Sequence, residues 1–269
     1  VEAIRAWKHV HGSLPIRIVI LLEGEEECGS ESLAPFLTEH KNDLQADTCI
    51  VCDTGMWDEN TPAITSRLRG LVYIEATLHG PSHDLHSGGY GGAVVNPANA
   101  LAKILGQLHD DDGRIQIEGF YDDVIEVSAE QVAQWNALGD ADALTLESSG
   151  AKATFGEKGF GTLERLWSRP TCDVNGLFAG YTGEGAKTVI GAKATAKISC
   201  RLVAHQKPEQ IEKALFAFLE ARTPPGCRWD LKSFGAAPAI AVPTESPWLT
   251  AASNALTSVF PNPTVLIGT

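Results

Sequence analysis

The sequence predicts an α/β fold, in which part of a doubly wound parallel domain carries a separate, inserted α+β domain. Two observations carry this reading. Near the start, helical periods alternate with short continuous apolar runs, Pro15–Leu22 (PIRIVILL) and Thr48–Cys52 (TCIVC), the texture of strands buried on both faces of a parallel sheet. From about Leu68 the texture changes to strict alternation, in LVYIEATLHG and again in Ala192–Val203 (AKATAKISCRLV), as half-exposed antiparallel strands require.

Taken in order, Val1–Gly12 reads as a helix, with Ile4, Trp7 and Val10 at helical spacing and Gly12 as its stop. The strand Pro15–Leu22 delivers the chain to an acidic turn, Glu23–Gly29. Ser30–Lys41 follows as a helix carrying Leu33, Phe36 and Leu37, and the second strand, Thr48–Cys52, ends at Asp53. In the inserted part, Asn96–Leu108 is a helix with Asn96 as N-cap and Pro97 at its first position. Asp110–Leu166, rich in Asp, Glu and Ala, reads as helical excursions anchored by Trp135 and Trp167. Pro208–Ala221 presents Ile211, Leu215, Phe218 and Leu219 on one helix face. After a composition shift at Pro243–Pro247, a helix Trp248–Val259 and a strand Thr264–Ile267 return to the first texture. The expected division is 1–67 and 244–269 as two parts of one domain, with 68–243 inserted as an antiparallel sheet with helices on one face. Val1 opens a helix with no cap ahead of it and Thr269 closes on a turn, so both ends read as cut.

Composition narrows the functional classes. Of 269 residues, 21 are basic and 34 acidic, a net charge of −13 that disfavours nucleic-acid and anionic-membrane partners. No apolar run approaches the roughly 18–20 residues needed to cross a bilayer. Six scattered cysteines read as reduced thiols, which makes the cytoplasm the default compartment. Cys49 and Cys52 lie three apart on a strand and point to opposite faces, so buried structural thiols are expected rather than a redox or zinc pair. Gly183-x-Gly185 lacks the following helix and lysine of a phosphate-binding loop.

Ligand sites in open α/β sheets lie at the carboxyl ends of strands. Here one strand ends in Glu23-Gly-Glu25-Glu26-Glu27 and the next in Asp53. Converging carboxylates repel unless a cation neutralises them, which suggests a metal or acid–base site; a solvated turn is the alternative. A second cluster, His79, His83 and His86, lies among glycines at 80, 88, 89, 91 and 92. It fits a separate zinc site, a histidine projecting into a pocket, or loop histidines on a polar surface.

Glu23–Ser30 (EGEEECGS) resembles the EGxEExGS motif of the dinuclear zinc metallopeptidases that include carnosinase, cytosolic non-specific dipeptidase, aminoacylase and the succinyl-diaminopimelate desuccinylases. Val51-Cys-Asp53, Leu68-Arg-Gly70, Leu85-His-Ser-Gly88, Gly185–Ile190 (GAKTVI) and Ile198–Val203 (ISCRLV) match further family segments in order, the dipeptidase branch best. The resemblance implies Glu26 as general base, Glu27 and Asp53 as ligands of two Zn2+ ions (Mn2+ being an alternative), and His86 as an oxyanion-stabilising group acting in the partner subunit of a homodimer. It implies Arg201 and Thr188 as contacts to the carboxylate end of a small peptide substrate, and 68–243 as lid and dimerisation domain of a zinc-peptidase fold. The family's His-x-Asp motif, bridging Asp and final zinc-ligating His find no match within these residues, so this chain alone is expected to bind zinc poorly and to be inactive. Where dipeptidase relatives carry His-Gly-Gly, this sequence reads Ser233-Phe234-Gly235, which implies a more apolar substrate contact. The implied reaction is hydrolysis of a dipeptide-type bond by metal-activated water. Deacylation or desuccinylation of N-acyl amino acids, or a non-catalytic dimerisation module, are the alternatives.

Overall fold

The helical period at the start forms α1 (Glu2–His11), with Glu2 in its first turn and Lys8, His9 and His11 in its last, each sign where the helix dipole favours it. The computed structural model describes residues 1–53 and 55–269, and Val1–Asp53 is the first of its two units. In this unit a 3-10 turn at Glu26–Cys28 precedes α2 (Leu33–Glu39). The two runs expected as buried parallel strands carry no ladder, and Leu22, Ile50 and Val51 are 89%, 76% and 73% exposed. A strand needs a neighbour for its N–H and C=O groups, and among the described residues neither run has one. Cys49 and Cys52, expected to be buried, are exposed for the same reason.

The second unit is Thr54–Thr269. It opens with β1 (Ala63–Leu68), β2 (Gly70–His79), the short β3 (Leu85–His86) and α3 (Ser87–Tyr90). Then comes α4 (Pro97–Leu105), capped as expected by Asn96, whose Oδ1 accepts from the Ala98 N–H at 3.0 Å. The predicted excursions are α5 (Ala129–Asn136), α6 (Ala141–Ser149) and α7 (Thr162–Trp167). The chain continues through β4 (Thr171–Ala179), β5 (Val189–Ile190), β6 (Lys193–Leu202), α8 (Pro208–Glu220), β7 (Arg228–Ala237), β8 (Ile240–Ala241), α9 (Pro247–Thr257) and β9 (Val265–Gly268).

Four of these strands form an antiparallel sheet in the order β4-β6-β2-β7. With α4 and α8 this is a β-α-β-β-α-β sandwich, both helices lying on one face. Val72, Ile74 and Ala76 of β2 and Ile198, Cys200 and Leu202 of β6 point into that face, against Leu101 and Ile104 of α4 and Ile211, Leu215 and Leu219 of α8, all nearly inaccessible to solvent. The alternate residues Leu71, Tyr73 and Glu75 lie on the other, helix-free face.

A smaller sheet, in the order β8-β1-β9, pairs β1 parallel with β9 and antiparallel with β8. Trp135 Nε1 donates to the Leu266 carbonyl at 2.9 Å and its ring meets Trp167 edge-on at 5.3 Å, which joins the excursion helices to β9. Gly268 is required here, because a Cβ would come within 2.6 Å of the Trp167 side chain.

One buried charge cluster escaped sequence reading. Arg169, 6% exposed, donates twice to the Glu157 carboxylate, at 2.7 and 2.8 Å. Arg114 adds a third contact at 3.1 Å and stacks on Tyr121 at 3.9 Å. Removing the acid strands a buried guanidinium, so Glu157→Ala is expected to destabilise the fold by about 3–5 kcal/mol in denaturant unfolding. Glu157→Asp, which keeps the charge, should lose less.

Candidate functional site

The acidic turn of the first unit sorts its own carboxylates. The Glu25 carbonyl accepts from the N–H groups of Cys28 and Ser30, each at 3.0 Å, which closes a tight loop. That loop needs left-handed backbone at Gly29 (φ 99°) and Ser30 (φ 52°). The Glu25 carboxylate caps the next turn, accepting from Ser32 N and Oγ, both at 3.0 Å, and Glu23 takes the Ser30 hydroxyl. Glu23 and Glu25 are thereby committed to structure. Glu26 and Glu27, on the 3-10 turn, are exposed, and among the described residues their carboxylates carry no hydrogen bond or ion pair. Asp53 is likewise exposed.

Exposed carboxylates of this kind suit a divalent cation, for which oxygen donors are ordinary ligands. Among the described residues, however, no three His, Cys, Asp or Glu side chains converge as a metal site. Glu26, Glu27 and Asp53 therefore do not form a closed cluster here, and neither do His79, His83 and His86. His79 is instead set beside Lys193 and Arg228, and burial, followed by the Arg228 charge, lowers its pKa below the ordinary histidine value.

In the second unit the structure does bring together two residues singled out separately. β3 and β5 pair antiparallel, His86 against Val189, and the Ser87 N–H donates to the Thr188 carbonyl at 2.9 Å. The His86 ring is held at both nitrogens: Nδ1 accepts from the Gly88 N–H at 3.1 Å, and Nε2 lies 3.1 Å from Thr188 Oγ1. An acceptor Nδ1 places the neutral ring's proton on Nε2, facing the threonine oxygen. Gly88 is needed for this packing, since a Cβ would sit 2.7 Å from the ring.

Arg201 is elsewhere. It lies at the far end of β6, opposite Leu71 and Thr171 on the helix-free face, exposed and without an ion pair among the described residues. Eight residues separate it from Lys193, where β6 begins beside the His86 corner, about 27 Å along a strand. Arg69 stands near it: burial first, and then the Arg201 charge, lowers the Arg69 pKa, and the Nε atoms of Arg67 and Arg69 are buried without a partner among the described residues. Sequence reading singled out neither Arg69, which joins β1 to β2, nor Tyr73, which follows the alternation of Leu71 and Glu75 on this face.

These features define a helix-backed antiparallel sheet with a charged open face and a His–Thr corner at one end. The chain belongs to the M20 peptidase dimerisation domain family, whose profile matches residues 67–227. It is 33% identical over 215 residues to the Cys-Gly metallodipeptidase dug1 of Schizosaccharomyces pombe, covering 79% of this chain and 45% of that protein. Against the human Beta-Ala-His dipeptidase it is 30% identical over 223 residues, covering 82% of this chain and 44% of the relative. The crystal structure of human carnosine dipeptidase 1 superposes with a TM-score of 0.76 at 26% identity, covering 99% of this chain and 57% of that one. The metallo-carboxypeptidase Sso-CP2 of Sulfolobus solfataricus gives 0.77 at 32% identity, covering 92% and 56%. The chain thus spans about half the length of the curated relatives it matches.

Thr188→Val should release Nε2 and leave the ring held at Nδ1 alone. Imidazole nitrogen NMR shifts are expected to move at His86 and stay fixed at His79, with stability changed by about 1 kcal/mol or less.

Proposed function

We propose that the intact protein is a metal-dependent dipeptidase that hydrolyses small peptides bearing a free carboxylate. The observation that carries this reading is the sorted glutamate turn, which locks Glu23 and Glu25 by hydrogen bonds and presents Glu26 and Glu27 to solvent. The motif resemblance and the metallodipeptidase names of the relatives support it. Glu27 and Asp53 would each hold one of two divalent ions, zinc by family resemblance, with further ligands coming from outside the set described above. The metal supplies charge that polarises the scissile carbonyl and acidifies the attacking water. Glu26 accepts that water's proton and passes it to the leaving amine. His86 would donate its Nε2 proton to the oxygen on which negative charge develops, exchanging the Thr188 hydroxyl for that oxygen as its partner. Arg201 binds the substrate carboxylate through two parallel hydrogen bonds.

A dipeptide spans about 7 Å and cannot reach both Arg201 and His86 within one protomer. The separation of about 27 Å along β6 therefore supports a homodimer in which His86 and Thr188 complete the partner's site. The edge strand β4 suits this contact, with Val174, Leu177 and Phe178 exposed at 43%, 54% and 56%. The division into 1–67, 68–243 and 244–269 is supported by the pairing of Leu68 with Ile240, which sets the entry and exit of an inserted lid side by side. A cytoplasmic, reduced setting is in keeping with six free thiols.

The test is hydrolysis of a dipeptide panel against N-acetyl and N-succinyl amino acids by the intact protein with zinc or manganese. Dipeptides should be cleaved preferentially, chelation should abolish turnover, and Glu26→Gln should lower kcat by about 100-fold or more. Preference for N-acyl amino acids, or full activity of the Glu26 variant, would sink the reading.

A further inference from the structure

The helix-free face beside Arg201 holds an aromatic pair that the chemistry above does not use. Along β2 the residues on this face run Leu71, Tyr73, Glu75, and β6 sets Arg201, Ser199 and Lys197 opposite them in turn. Tyr73 is thus one same-face step from the Arg201 row, about 7 Å.

On the other side of β2, strand β7 is bulged. Tyr73 pairs with Gly235 and Ile74 with Ser233, so Phe234 is an extra residue with no partner of its own. Trp229 and Leu231 pack on the helix-side core, so alternation along β7 turns Lys232 and Phe234 to the open face. The bulge, relieved at Gly235 (φ 147°), lets Phe234 stay there beside Gly235, its ring 5.7 Å from Tyr73. There it remains 46% exposed, and the Lys232 and Lys197 ammonium groups lie 4.7 and 5.6 Å from its centroid. Asp173 is in the same row beyond Ser199, and Thr171 Oγ1 donates to it at 3.1 Å.

We propose that Tyr73 and Phe234 form the side-chain subsite for the C-terminal residue of the substrate whose carboxylate Arg201 binds, so that peptides ending in an apolar or aromatic residue are preferred. This rests on the dipeptidase reading. One step along the sheet is the scale that separates a carboxylate from the end of an apolar side chain on the same α-carbon. The two lysines attract the peptide's carboxylate and repel a basic side chain, while the ring pair offers the apolar surface.

The test compares Ala-Gly, Ala-Leu, Ala-Phe and Ala-Lys in the intact, metal-loaded protein. Ala-Leu and Ala-Phe should be favoured over Ala-Gly and Ala-Lys, and Phe234→Ala should lower kcat/KM for the two favoured peptides roughly tenfold while changing Ala-Gly by less than about twofold. Phe234→Leu, which keeps apolar volume, should retain the preference for Ala-Leu. A loss equal on all peptides, or no loss, overturns the subsite. Ligand-observed NMR of the metal-free protein with L-phenylalanine and glycine separates this proposal from the reaction. Phe234-dependent selection of phenylalanine by a protein that cleaves no dipeptide leaves the subsite standing and removes the dipeptidase reading; equal binding of the two amino acids overturns the subsite.

Discussion

The antiparallel ladder between β2 and β6, unbroken from Gly70 opposite Leu202 to His79 opposite Lys193, is the constraint on which the rest of the second unit depends. Because side chains alternate along a strand, this one register decides that Val72, Ile74, Ile198 and Cys200 meet the helices and that Tyr73, Ser199 and Arg201 do not. A slip of one residue would bury Arg201 and expose the core. The same ladder fixes distance. Arg201 belongs to one end of β6, and the turn carrying Thr188 to His86 belongs to the other.

That separation shapes the functional account. A dinuclear peptidase needs its proton carrier, its oxyanion donor and its carboxylate anchor within reach of one small substrate. One sheet of this length cannot supply both of the last two to the same peptide, but two sheets related by a two-fold axis can. In the proposed dimer two chains would complete one site, and the apolar edge β4 would have a reason to remain exposed in a single chain. β1 and β8 pair antiparallel, so the segment between them starts and ends side by side, as the proposed insertion requires.

Much of this was legible in the sequence where local chemistry and tertiary need agree. The alternation of β2 and β6, the Asn96 cap, the apolar stripe of α8 and the strand before Gly268 all formed within a residue or two of expectation. The edge strands were less legible: β4 is solvated on much of its length without a regular burial pattern, and the alternation of β7 is short, running over Arg228–Lys232 and ending at the bulge. The runs Pro15–Leu22 and Thr48–Cys52 read as buried strands from side chains alone, but a strand also needs a partner, which hydropathy does not reveal. In the site, the resemblance to the metallopeptidase family singled out Glu26, Glu27, His86, Thr188 and Arg201. It could not tell that Glu23 and Glu25 are tied to serines, or that His86 touches Thr188 across 102 positions while Arg201 stands apart. Those are consequences of pairing, and the Phe234 bulge is another.

The central claim, that one site draws on two protomers, is tested most directly by subunit complementation. Intact Glu26→Gln and His86→Ala proteins, each inactive on dipeptides, are mixed in equal amounts under conditions that exchange subunits. A mixed dimer retains one site with Glu26 from one chain and His86 from the other, so activity should return to about a quarter of the unmodified protein. A mixture that stays as inactive as its components, although mass measurement finds the mixed dimer formed, would contradict the account.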